Sequence, residues 1–244
     1  MIYDYNRLTP DINATVEYHA ILCHKKIEKY GFQDYCNRLY LSDNGIENTI
    51  DITNKEFPTQ LTGEFSAWLW LANNIRENDR ATLHHYRRKL PLSISPIVLP
   101  QPVQLKCTIL EHMAYYHSPI IAEAMVKTLN QTELQILNGN ALLCWNIFKC
   151  PQPIIKQWCE YCGNKLKMLS DVLNCPIDVE AVYKFVKDKK NGMLEDREGK
   201  NAELSYQTRF YACALERYSH CFWNLIQCSK EYKQVNLLEP NQLI

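Results

Sequence analysis

Residues 84 to 89 read H-H-Y-R-R-K, five cationic or potentially cationic side chains in six positions. An arginine fork meets phosphate oxygens two at a time and a lysine supplies a point charge, so this run could neutralise a phosphate or diphosphate. A second basic group, His24-Lys25-Lys26, closes an earlier apolar stretch. The alternative is a solvated strand end whose arginines pair with carboxylates from other loops. Near the other end of the chain, Arg209 and Glu216 stand seven residues apart, two helical turns, and share a face with Cys213 and His220. A carboxylate so placed could take a proton from an attacking hydroxyl. It could equally form a structural ion pair with Arg209 or another basic group.

The rest of the chain sets off that cationic run. Its 244 residues include 27 basic and 27 acidic ones, with no net charge. Such a balance excludes the broad basic footprint of a nucleic-acid-binding domain. With 46% hydrophobic and 22% charged residues the composition is globular. The first residues, M-I-Y-D-Y-N-R-L-T-P, lack the charged and apolar regions of a signal peptide, and no apolar run is long enough to span a bilayer. The expected location is therefore cytoplasmic. Eleven cysteines, an odd number, favour reduced thiols. Cys159 and Cys162 have C-x-x-C spacing, but no second such pair completes a zinc ribbon, and buried apolar thiols are the simpler reading.

The elements that must position these residues alternate between strand and helix. Val16 to Lys25 and Arg80 to Leu83 read as strands that end in the two basic groups. Gln60 to Asn73 carries apolar residues at helical spacing. The proline-punctuated segment Pro91 to Pro102 must be extended or loop. Helices are expected from Ile109, from Pro119 with Ser118 as N-cap, from Pro153 through Leu173, and from about Glu203 to Cys228. Ala141 to Lys149 reads as one buried strand, and Asp178 as a helix N-terminus. The fold class is α/β, with one domain over residues 16–228, an N-terminal extension (1–15) and a C-terminal tail (229–244). In such sheets ligands bind outside the carboxyl ends of the strands, where both basic groups fall.

The order of segments resembles a family of uncharacterised bacterial capsular and exopolysaccharide biosynthesis proteins, glycosyltransferases of GT-A-like fold. That family pairs an E-L-T-A-x-Y-W-x-W-K-N helix with a strand ending G-x-C-H-Y-R-R-Y-F. The counterparts here are Q-L-T-G-E-F-S-A-W (Gln60 to Trp68) and T-L-H-H-Y-R-R-K-L (Thr82 to Leu90). His24 and Lys25 match its first strand end, and Asn146-Ile147-Phe148 its N-M-F-I strand. Arg209 to Arg217, R-F-Y-A-C-A-L-E-R, resembles its final helix, and His112 and His117 a segment with one recurrent histidine. The family's G-D-N-I-S-x-K-N segment is shortened here to I-D-I-T-N-K-E.

The resemblance implies a single, Rossmann-related, three-layer domain with a mostly parallel central sheet. It also implies sugar transfer, by inversion, from a nucleotide sugar to a glycan or lipid-linked glycan. The donor would be a UDP-sugar, with galactose or galactofuranose as the sugar, and the product capsular polysaccharide, exopolysaccharide or O-antigen. A non-catalytic sugar- or nucleotide-binding protein of the same fold is the alternative. On this basis Glu216 is the expected base. His24, Lys25, His84, His85, Tyr86, Arg87 and Arg88 are expected to hold the diphosphate, and Asn146, His117, Arg209 and Arg217 the sugar or acceptor. Many GT-A enzymes hold manganese or magnesium with a D-x-D motif, and this chain has none. Protein cations are therefore expected to replace the metal, with no cofactor required. No nucleic acid is expected as partner, and the reading leaves room for peripheral association with the inner face of a membrane.

Overall fold

The computed structural model describes residues 15–25, 36–85, 88–191, 193–194, 203–227 and 233–236. In chain order its elements are β1 (Glu17–Leu22), β2 (Arg38–Ser42), β3 (Ile50–Asp51), α1 (Thr59–Thr62), α2 (Phe65–Asn74), β4 (Arg80–His84), β5 (Val98–Pro100) and β6 (Val103–Gln104). There follow α3 (Ile109–Tyr116), α4 (Pro119–Thr128), α5 (Gln131–Leu137), β7 (Ala141–Leu142), β8 (Lys149–Pro151), α6 (Gln152–Leu173), α7 (Val179–Lys187), α8 (Leu204–Gln207), α9 (Phe210–Gln227) and β9 (Lys233–Val235).

Seven strands form one sheet in the order β3-β2-β1-β4-β8-β5-β9, and β6 pairs with β7 apart from it. The sheet is mostly parallel: β1 lies between β2 and β4, parallel to both, and β8 runs antiparallel to its neighbours β4 and β5. β9, within the stretch expected to be a tail, is the edge strand beside β5.

The period of two in the strands sorts their side chains between two faces. Ala20, Leu22, Leu39, Leu41, Ala81 and Leu83 enter the main core, where helices α2, α6 and α9 cover them. Trp68 of α2 stacks on Phe148 with ring centroids 3.9 Å apart, and Trp158 of α6 closes the cluster. The alternate set has a different character. It carries Ile21 and Cys23 together with His19, His84 and Lys149, all buried. The third layer expected from the sequence is not seen among the described residues, and the connection between β1 and β2 lies mostly outside them.

Local chemistry fixes four of the helix starts. Thr108 and Asn130 form capping boxes with Glu111 and Glu133, while Ser118 and Asp178 each accept a backbone N–H as N-caps. Helix α5 was not anticipated from the sequence. The helix read over Gln60 to Asn73 is two, because Gly63 takes φ 59° and ψ −127°, which no helix contains. The helix read from Glu203 likewise divides into α8 and α9.

The largest correction concerns Ala141 to Lys149. Only its two ends are strand, since Trp145 (φ 71°) and Asn146 (φ 47°) adopt left-handed backbone. Side chains from helices take over there from ladder partners. Glu216 of α9 accepts the Trp145 N–H, and the Trp68 indole donates to the Asn146 carbonyl. No helix of the described residues is long and apolar enough to cross a membrane.

Candidate active site

β1 and β4 are parallel neighbours, with Ile21 opposite His84, so their carboxyl ends open on one rim. β8 runs against β4, and the Trp145–Phe148 segment that enters it reaches the same rim, where Leu83 N–H donates to the Phe148 carbonyl. Helix α9 supplies Cys213 and Glu216 on one face, with Arg209 just ahead of its first turn. Gly63, between α1 and α2, faces Ala212 of α9, and this contact sets Glu64 beside that helix.

Two carboxylates therefore meet the cations. Burial is the main cause that pushes the Glu64 carboxyl up to about 7, and the negative charge of Glu216 adds to it. The Arg209 guanidinium and Glu64's own backbone N–H only partly offset them. Glu64 is 16% exposed, and an oxygen lies 3.9 Å from His85 Nε2. Partial desolvation holds His24, itself exposed at the β1 end, below its ordinary value, with Arg209 acting the same way and the Asp43 carboxylate opposing. Arg209 thus lies within electrostatic reach of both the β1 end and Glu64, and it is exposed.

Glu216 is engaged on both oxygens. One accepts the Trp145 N–H at 3.1 Å, and the other lies 3.1 Å from the Arg217 guanidinium. Arg217 is 2% exposed and also donates to the Cys213 carbonyl and to His112 Nδ1. A neutral His112 is required for that last bond, and burial with the adjacent guanidinium lowers it to about 4. Arg88 lies over the Trp145 ring, 4.1 Å from its centroid. Two buried atoms in this region, Asn146 Oδ1 and Arg217 Nε, have no hydrogen-bond partner among the described residues.

Of the expected site residues, the structure gathers His24, His85, Arg88, Asn146, Arg209, Glu216 and Arg217 about this rim. His84 sits beneath it, fully buried: its Nδ1 accepts the Leu90 N–H and its Nε2 faces His19 Nδ1 at 3.2 Å. With Nδ1 an acceptor, neutral His84 carries its proton on Nε2 and donates to His19. His84 therefore braces the loop after β4 and is not open to a ligand. His117 is also buried, stacked on Tyr206, whose hydroxyl end feels Cys213, Arg217 and Glu216, so it stands one layer behind. Lys25 is exposed at the β1 end. Tyr86 and Arg87 lie outside the described residues. His85 and Arg88, on either side of them, exchange both backbone hydrogen bonds at 3.0 and 3.1 Å.

Sequence reasoning missed Glu64 and Asp43. A carboxylate set between apolar runs at a glycine junction was the available signal for Glu64. Glu64 and His85 are two ligand-type side chains, and no set of three converges among the described residues. The C-x-x-C pair lies inside α6, buried, with both thiols pushed up by desolvation, as apolar residues of the core would be.

No protein-family model and no curated protein matches the chain. Among solved structures, the chain is similar to the apo structure of WbbM, a bifunctional glycosyltransferase, with a TM-score of 0.62 and 15% identity. The match covers 92% of this chain and 45% of that one, so the chain spans less than half of its length. At that identity the likeness shows a shared fold alone.

Proposed function

We propose that the protein is a glycosyltransferase that takes a sugar from a nucleotide-sugar donor and places it on a glycan hydroxyl. The observation that carries this reading is the shared rim of β1 and β4, where His24, His85, Arg88 and Arg209 stand beside two carboxylates. Charges of both signs are what the transfer needs. The acceptor oxygen attacks the anomeric carbon, the bond from that carbon to the diphosphate breaks, and its electron pair leaves with the nucleotide. Fixed cations in a partly desolvated site stabilise that departing charge without reorganising. A carboxylate receives the acceptor's proton.

The finer terms follow the sequence resemblance. They are inversion at the anomeric carbon, a UDP-linked hexose such as galactose or galactofuranose, and an acceptor in capsular polysaccharide, exopolysaccharide or O-antigen synthesis. Asn146 Oδ1, a buried acceptor with no partner among the described residues, suits a sugar hydroxyl.

Thermal shift with UDP, GDP and their sugar conjugates, followed by nucleotide release from a donor panel, tests the proposal. UDP should raise the melting temperature, and one UDP-hexose should release UDP slowly even onto water. Binding without release from any donor would favour a sugar- or nucleotide-binding protein, and no binding at all would remove both readings.

A further inference from the structure

On the reading of this rim as a sugar-transfer site, we infer that Glu64 accepts the acceptor's proton, while Glu216 is a positioning residue that holds the Trp145 turn.

Glu216 has structural work on each oxygen. One caps the N–H of Trp145, a residue in left-handed backbone, and the other neutralises Arg217 in an almost dry setting. Proton transfer to Glu216 would leave that buried guanidinium facing a neutral acid, a costly arrangement. Through Trp145 the same carboxylate supports the ring beneath Arg88, one of the site's cations.

Glu64 has the opposite surroundings. Among the described residues His85 approaches it at 3.9 Å, and its side chain is 16% exposed. The groups that face it are His85, just after β4, and Arg209, Cys213 and Glu216 from the α9 side. Burial and the second carboxylate raise its proton affinity towards neutrality, where a base both exists ionised and binds a proton well. Its backbone is set by the Gly63 junction and clamped by the Thr59–Ser66 hydroxyl contact of 2.6 Å, so the carboxyl is held on rigid elements. The step balances simply. The acceptor O–H proton passes to a Glu64 oxygen as the acceptor oxygen bonds to the anomeric carbon and the nucleotide diphosphate departs.

The test uses the full chain and the UDP-sugar that it turns over, with UDP binding followed in parallel by calorimetry. Glu64→Gln should bind UDP within about threefold of the unaltered protein and lose at least roughly a hundredfold in turnover, the usual worth of a general base. The turnover of the unaltered protein should fall on the acid side with a midpoint near the Glu64 value of about 7. Glu216→Gln should lose less turnover and keep an acid limb, moved to lower pH because the charge that helps raise Glu64 is gone. Turnover surviving in Glu64→Gln overturns the inference, and so does an acid limb below pH 5.5, which needs no variant to fold. No turnover of any donor by the unaltered protein removes the transferase reading itself, and this inference with it.

Discussion

The Arg88 guanidinium rests on the Trp145 indole, 4.1 Å from the ring centroid, and joins two loops that are far apart in the sequence. One is the stretch after β4, where His85 and Arg88 exchange backbone hydrogen bonds. The other is the left-handed turn before β8, held by Glu216. A cation packed on a ring has given up part of its hydration and is oriented by the contact. Arg88 is thereby assigned to the architecture of the rim as well as to its charge.

Arg88→Ala is accordingly expected to lower stability by about 1 kcal/mol, the usual worth of a partly desolvated cation–ring contact. Calorimetric titration with UDP should find its affinity within about threefold of the parent. Arg87→Ala should instead weaken UDP binding by about 1.5–3 kcal/mol, as a charge-assisted contact would, with lysine restoring only part. Equal UDP affinity in the parent and in both variants would mean that the H-Y-R-R run does not hold phosphate.

Glu216→Ala removes the acceptor of the Trp145 N–H and the partner of Arg217 together. Glu216 is 22% exposed but Arg217 is 2% exposed, so the cost falls mainly on the stranded guanidinium. A loss of about 2–4 kcal/mol in urea unfolding is expected. Replacing Arg217 by Met in the same chain should recover part of it, since the buried charge is then gone.

Acid should weaken the fold through its buried histidines. Burial and the nearby Arg217 charge lower His220 to about 4, below the ordinary 6.5. The unfolded chain therefore takes up a proton below about pH 6.5 that the folded protein refuses until about pH 4. Stability from this group is present above pH 6.5 and lost as pH falls through that window. Between pH 7 and pH 5 the parent should lose about 2 kcal/mol more than His220→Gln, whose amide oxygen can still accept the Leu143 N–H. Urea midpoints at the two pH values give this difference directly. Glu64 has the opposite sign, because its raised value makes the folded state bind its proton first, and the comparison of two variants cancels it.

Nucleotide binding is expected to survive EDTA. The chain has no D-x-D, and the Arg209 guanidinium stands at the rim within electrostatic reach of His24 and Glu64. Titration with UDP in EDTA and in excess manganese should give affinities within about threefold of each other. A strict need for metal in the binding step would contradict the replacement of metal by protein cations.

Much of this was legible in the order of residues. The two strand ends with their basic groups could be placed, because strand ends and proline or glycine stops are local properties. So could the cap at Ser118, the N-terminus at Asp178 and the long helix to Leu173. Arg209 and Glu216 could be set on one side of a helix from spacing alone. Local chemistry acts within a turn or two, and a sequence displays it directly.

Only the tertiary structure decided what those residues do. The apolar run Ala141 to Lys149 has the composition of a buried strand, yet its two ends belong to different sheets and its middle to neither. Two side chains from distant helices, Trp68 and Glu216, satisfy its backbone there. His84 and His85 are adjacent and chemically identical, but the alternation of a strand sends one into a buried contact with His19 and the other towards Glu64. Glu64 carries no motif at all. Its raised proton affinity comes from burial and from Glu216, 152 positions along the chain, since 216 less 64 is 152. Burial and charge proximity are properties of space, and spacing along a chain encodes them only once the chain has folded.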